Sequence, residues 1–199
     1  MTFTTSLKEE IAKNDINVLE ARYELVAFLN CVAKFSKEEI NITVENASIA
    51  RRIYREIKEI YGVNPKIIIR VQKRFKVKQI YILSIKEKVD FIKKDISVGI
   101  KIEVDDLVSD EEKMAFLEGV FLAVGNVSNP RTSGYHLEFI FTKERLAKQV
   151  LNLLNYFNLK AKLIKRGYKN IVYIKASECI SDLIKRFHAT NSLFYFEDI

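Results

Sequence analysis

Apolar positions in this 199-residue chain fall at helical and strand spacings in turn, and the same order of predicted elements occurs twice. Ser6 with Glu9 reads as a capping box for a short first helix. From Val18 to about Phe35, Leu19, Tyr23, Val26, Ala27, Asn30, Cys31 and Lys34 keep helical spacing. Leu25, Phe28, Leu29 and Val32 extend the apolar surface around most of that helix, which marks it as buried. Ile40, Ile42 and Val44 then alternate with Asn41, Thr43 and Glu45 as a half-buried strand. Asn46 caps a helix striped by Ala50, Ile53, Tyr54, Ile57 and Tyr61 and stopped by Gly62 and Pro65. Strands are predicted at about 66–72 and 78–85, and a helix near Glu87–Lys94.

After an acidic stretch holding Asp105, Asp106, Asp110, Glu111 and Glu112, the order recurs. An apolar helix is predicted over about 113–124, a short strand and turn over 125–130 and a strand over 135–141. A helix over 143–157 carries the stripe Leu146, Val150, Leu153, Leu154 and Phe157. Strands at about 160–166 and 170–175 and a helix over 177–187 complete the set. Ile80-Tyr81-Ile82 aligns with Val172-Tyr173-Ile174 at an offset of 92, which Leu25 and Leu117 share. A unit of that length is too long for a solenoid repeat and predicts two pseudo-symmetric αββαββα halves. In the buried helices, small residues stand four apart at Ala27 and Cys31 and at Gly119 and Ala123. That spacing puts each pair on one helix face and permits close approach of two helices.

Composition narrows the class. With 48% hydrophobic residues and only 6 Gly and 2 Pro, the chain is a globular sequence and neither disordered nor fibrous. No apolar run reaches the roughly 18 residues of a membrane helix, and the polar N-terminus is unlike a signal peptide, so a cytoplasmic protein is expected. Cys31 and Cys179 have no partner at metal-ligand spacing and read as reduced core residues. His136 and His188 are isolated. The net charge is +7, and residues 51–101 alone hold fifteen Lys or Arg against five acids. Such asymmetry points to a polyanionic partner, with a solvated Lys-rich surface as the bland alternative.

Two segments, Leu25-Val-Ala-Phe-Leu-Asn-Cys-Val-Ala33 and Leu117-Glu-Gly-Val-Phe-Leu-Ala-Val-Gly125, resemble the paired motif of the LAGLIDADG homing endonucleases. The second copy matches better, at Leu117, Gly119, Ala123 and Gly125. TFTTSLKEEIA, AFLEGVFLAVGNVSNP with GYHLEF, and VYIKASECISDLI with LFYFEDI further resemble the WhiA family of bacterial sporulation and cell-division regulators. The resemblance implies an α+β fold with a central helix pair and a saddle of antiparallel strands on double-stranded DNA. It also implies a helix-turn-helix region beyond residue 199. The endonucleases place a metal-binding acid at the eighth motif position; here it is Val32 and Val124, and the sixth position holds Asn30 and Leu122. Valine cannot ligate magnesium, so no catalytic residue, metal or cofactor is expected. Glu118 falls on another helical face and reads as solvated.

Period-2 alternation assigns a DNA-facing set. If Ile67, Ile69 and Val71 face the helices, Lys66, Arg70 and Gln72 face outward, with Lys73, Arg74, Lys76 and Lys78 at a hairpin tip. In the second half Lys160, Lys162 and Arg166 face outward with Lys169 at a tip, and Tyr173 and Lys175 do so beside an equivalent Tyr81. Glu45 and Glu138 map nearby and weaken the field. The expected organisation is a helical segment over 1–17, a first half over 18–95, an acidic linker over 96–112 and a second half over 113–199. The reading is a monomeric, non-cleaving DNA-binding regulator domain with further protein partners in transcription. A protein-interaction module with an incidental basic face and an active endonuclease remain the alternatives.

Overall fold

This computed structural model describes residues 1–73, 78–99 and 109–198, without the side chains of 97–99. Helix α1 (Phe3–Ile11) is capped by Thr2, whose hydroxyl accepts the Thr5 amide at 3.2 Å. The expected Ser6–Glu9 capping box is therefore corrected: Ser6 lies inside the helix, and Glu9 accepts a 3.0 Å hydrogen bond from Asn46. Helix α2 (Val18–Val32) stops three residues before the periodicity suggests. Ala33 turns to φ −68°, ψ 133° and the chain enters β1 (Ala33–Phe35) without a loop, because β1 gains a ladder with β2 (Ile40–Val44).

Helix α3 (Ala47–Tyr61) begins at Asn46, whose side chain accepts the Ser48 and Ile49 amides, and ends at Gly62 in the left-handed region at φ 64°. Strands β3 (Lys66–Gln72) and β4 (Lys78–Ile85) and helix α4 (Val89–Gly99) complete the first unit. Of the expected acidic linker, residues 100–108, with Asp105 and Asp106, lie outside the described residues. Its tail is the first turn of α5 (Asp110–Val124), where Ser109 and Glu112 form a capping box. Three acids in that turn suit the positive end of the helix dipole.

Gly125 mirrors Ala33, with φ −74° and ψ 146°, and leads straight into β5 (Gly125–Val127). There follow α6 (Pro130–Ser133), β6 (Leu137–Phe141), α7 (Glu144–Tyr156), β7 (Lys162–Arg166), β8 (Lys169–Ile174), α8 (Ser177–Arg186) and α9 (Thr190–Glu197). The periodicity gave no sign of α9. Each unit builds one antiparallel sheet with the same topology, β1-β2-β4-β3 and β5-β6-β8-β7.

Helices α2 and α5 form the most extensive helix contact, at the centre of one continuous apolar core. They meet closely at Gly119, where a Cβ would stand 2.1 Å from the Glu24 carbonyl oxygen. Only a residue without a side chain lets the two main chains meet there.

Two side chains at this junction depart from expectation. Glu118, read as solvated, is 8% exposed, and Arg52, counted in the basic excess, is 2% exposed. The guanidinium forks onto both oxygens of Glu24 at 2.5 and 2.8 Å and donates to the Asn14 carbonyl at 2.6 Å, so it ties α3 to α2 and to the end of α1. Glu56 approaches the same guanidinium at 3.2 Å. Burial alone would make Arg52 easier to deprotonate, but the fork onto Glu24 and the surrounding carboxylates outweigh it and hold the charge.

Candidate nucleic-acid interface

Strand register decides which side chains leave the core. In sheet one, Ile42 lies opposite Leu83 and Ile40 opposite Ile85, all four buried under the helices. The other face therefore carries Lys34, Asn41 and Thr43 from β1 and β2, Lys78, Ile80, Ile82 and Ser84 from β4, and Lys66, Ile68, Arg70 and Gln72 from β3. In sheet two, Phe139 opposite Val172 and Leu137 opposite Ile174 face inward. The outward set is Asn126, Glu138, Ile140, Ile171 and Tyr173 with Lys162, Ile164, Arg166 and Lys169.

Basic side chains rim both open faces, and isoleucines fill their middles. Lys66, Arg70, Gln72 and Lys78 are exposed on sheet one, and Lys162, Arg166 and Lys169 on sheet two. Ile68, Ile80 and Ile82 are half-buried among themselves, as are Ile140 and Ile164 around the buried Ile171. Lys175 follows β8 and lies 5.6 Å from the Tyr173 ring, with His136 stacked on the same tyrosine. Lys160 precedes β7 and pairs with Glu178 at 3.0 Å. Lys78 pairs loosely with Glu45 at 3.3 Å, and Glu138 lies in the open face bonded to His136. Lys73 is exposed just beyond β3, whereas Arg74 and Lys76 lie outside the described residues.

Tyr81 requires a correction. Its register partners are Val44 and Ile69, on the face that carries Leu83 and Ile85, so it lies on the helix side and not beside Tyr173. Ala33 and Gly125 begin equivalent strands, each opposite its neighbour's Ile42 or Phe139, and these in turn face Leu83 and Val172. The equivalent residues are thus 89 apart, and the odd difference from 92 moves Tyr81 to the other face. The register bears out the facing of Ile67, Ile69 and Val71 but not their burial. They share the helix-side face, yet they remain 50, 57 and 52% exposed.

Where α2 and α5 run into the sheets, Val32 and Val124 are half-buried. Cys31 and Ala123 are also half-buried there, and Ala27 is fully buried. Burial pushes the Cys31 thiol up to about 12, which keeps it protonated and unreactive at neutral pH. Two lysines that sequence periodicity could not single out approach these helix ends. Lys143 donates to the Asn30 carbonyl at 3.1 Å, at the end of α2. Lys8, from α1, holds its ammonium 5.6 Å from the Phe121 ring near the end of α5, and burial lowers it to about 8. A cation suits the negative end of a helix dipole. Among the described residues, no three His, Cys, Asp or Glu side chains are grouped to hold a metal ion.

Residues 113–199 match the family described as the WhiA LAGLIDADG-like domain, and residues 20–99 match the WhiA N-terminal LAGLIDADG-like domain. The probable cell division protein WhiA of Exiguobacterium sibiricum is 37% identical over 211 residues, covering 100% of this chain and 66% of that protein. Its Staphylococcus carnosus namesake is 34% identical over 209 residues, covering 100% and 67%. The chain thus spans about two thirds of the length of these relatives. Full-length WhiA from Thermatoga maritima superposes with a TM-score of 0.79 at 21% identity, over 100% of this chain and 66% of that one. The homing endonuclease I-DmoI, in complex with DNA and Mn, superposes with a TM-score of 0.57 at 17% identity, over 87% and 97%.

Proposed function

The chain belongs to the WhiA family, and from that premise we propose that it is a DNA-contacting, non-cleaving LAGLIDADG-like part of a bacterial regulator of cell division and sporulation. One observation carries the reading. Two open, basic-rimmed sheet faces flank helix ends at which valines and lysines stand where an endonuclease would gather acids around a metal. Lysine and arginine at the rims bind phosphates without reading sequence. The isoleucine centres offer apolar contact to thymine methyls and little else in the way of base readout. Modest affinity and slight sequence preference follow. Strong sequence selection belongs to a further DNA-reading element of the whole protein, acting in the cytoplasm with transcription proteins as additional partners.

The test is duplex DNA binding at several salt concentrations. Arg70→Glu and Lys162→Glu together are expected to weaken binding, whereas Lys148→Glu, at a site on α7 where Lys148 pairs with Glu144, leaves it unchanged. With magnesium or manganese, no strand should be nicked. Equal binding by both sets of variants, or equal absence of it, favours the interaction-module alternative, to which the isoleucine-rich centres also lend themselves. Metal-dependent nicking that survives repurification would refute the non-cleaving assignment.

A further inference from the structure

Helix α3 carries its charge on the side turned away from the core. Arg51, Arg55 and Lys58 stand at i, i+4 and i+7, opposite the buried Ile49, Ile53 and Ile57, and all three are exposed. With Lys13, just beyond α1, they line a groove of about 580 Å³ between the end of α1 and the outer face of α3, where the half-buried Ser48 and Tyr54 add two hydroxyls. The two walls are held in place from beneath, because Arg52 donates to the Asn14 carbonyl at 2.6 Å while its guanidinium is fixed on Glu24. Exposed cations on other helices are met by acids one turn away, Lys148 by Glu144 at 2.8 Å and Arg186 by Asp182 at 3.0 Å. Lys13, Arg51, Arg55 and Lys58 form no ion pair among the described residues, although Glu59 follows Arg55 by one turn. Nor is the stripe a demand of the fold. Helix α7 holds the same place in the second unit, its buried Leu146, Val150 and Leu154 standing where Ile49, Ile53 and Ile57 stand, and there the three positions are Lys148, Asn152 and Asn155.

These cations point away from the open sheet faces. Helix α3 packs on the core side of sheet one, against β2 and β4, so a duplex on the open side does not reach its outer face. A double helix is also too broad to enter a groove of this size and would meet only its rim. An acidic polypeptide fits. The stripe spans roughly 10.5 Å, seven residues at about 1.5 Å each, which a partner helix matches with Asp or Glu at the same spacing. Guanidinium forks take carboxylates bidentately, and Tyr54 and the aliphatic stems give apolar contact beside them. We propose that the groove between α1 and α3 docks an acidic segment of a partner protein, with its carboxylates on Arg51, Arg55 and Lys58. The inference gives the additional protein partners a surface and a chemistry, rests on that part of the proposed function alone, and stands whether or not the sheets contact DNA.

The probe is a fluorescent, alanine-rich helical peptide with Glu at i, i+4 and i+7, and the same peptide with Gln at those positions is its control. Polarisation with the whole chain at low salt is expected to show saturable binding of the Glu peptide that added salt weakens. The Gln peptide should bind about tenfold more weakly, and Arg51→Glu with Arg55→Glu should cost the Glu peptide about tenfold or more. Lys148→Glu, and the sheet pair Arg70→Glu with Lys162→Glu, should leave peptide binding unchanged. Unchanged melting curves certify folding, and Arg51→Gln with Arg55→Gln carries the test if the reversals unfold the chain. No binding at low salt, equal affinity for the Gln peptide, or binding indifferent to the α3 variants overturns the proposal. So does a loss of duplex binding from the α3 variants as large as that from the sheet pair, which would assign the groove to nucleic acid.

Discussion

At Gly119 the α2–α5 approach leaves no room for a side chain. A Cβ there would also stand 2.9 Å from the Glu24 carbonyl carbon, and main chain cannot swing aside as a side-chain tip can. Gly119→Leu is expected to destabilise by about 1–3 kcal/mol or more, as overpacking does. Urea or thermal unfolding measures this, and an unchanged midpoint would mean that the helices do not meet there. Beside that contact, burial first and then the neighbouring Glu24 push Glu118 and Glu56 well above the usual carboxyl range. A folded-state pKa above the unfolded one means that the native protein holds the proton more tightly. The associated stability is full below the ordinary carboxyl range and is lost as pH rises toward the raised value. Glu118→Gln keeps a neutral side chain and is expected to flatten the loss of stability between mildly acidic and alkaline pH. Unfolding free energy followed across that range gives the slope, and an unaltered slope contradicts the assignment.

Among the elements, α9 shows best how a helix can depend on a distant one. Ala189 at its N-cap provides no side-chain cap, and Glu10 of α1 supplies one from outside. That carboxylate accepts the Asn191 and Ser192 amides at 2.8 and 2.9 Å and the Ser192 hydroxyl at 2.7 Å. Phe3 stacks on Tyr195 at 5.2 Å and adds apolar contact between the same helices. Glu10→Ala is expected to cost about 0.5–2 kcal/mol, as the loss of an N-cap does. The amides of Asn191 and Ser192 should then exchange faster with solvent while those of α2 and α5 stay protected. Hydrogen exchange read residue by residue distinguishes this from global loosening. Ser109→Ala should act on α5 with similar size, because it removes one side of its capping box.

Taken as a whole, the molecule turns a basic sequence into two basic rims by spending part of its charge internally. Arg52 is consumed by Glu24, and the Lys88 ammonium is held by the Tyr61 carbonyl. The formal excess in residues 51–101 therefore overstates the field available to a polyanion. Counterion release sets the expected salt response: log K should fall linearly with log salt, by about 0.9 per neutralised phosphate. The double reversal of Arg70 and Lys162 should flatten that line, and titration at several ionic strengths measures it. A slope insensitive to the reversal would remove the open faces from the DNA contact.

Periodicity in the sequence was enough to establish the main helices and strands of both halves and the buried character of α2 and α5, and the family resemblance marked Val32 and Val124 as the motif's acid positions. These follow from local spacing and residue chemistry, which no neighbour can change. Contacts between elements distant in sequence decided the rest. Glu118 looked solvated because a helical spacing shows which residues share a face but not that α2 and α3 cover it. Tyr81 changed faces because the pseudo-repeat is offset by an odd number of residues between the sheets, which no local alignment reveals. Helix α2 ended early because β1 found β2 as a ladder partner, and Lys34 moved to the open face with it. The aliphatic face of β3 looked like core because alternation marks a face for burial, and whether a helix reaches far enough to cover it is settled only in three dimensions.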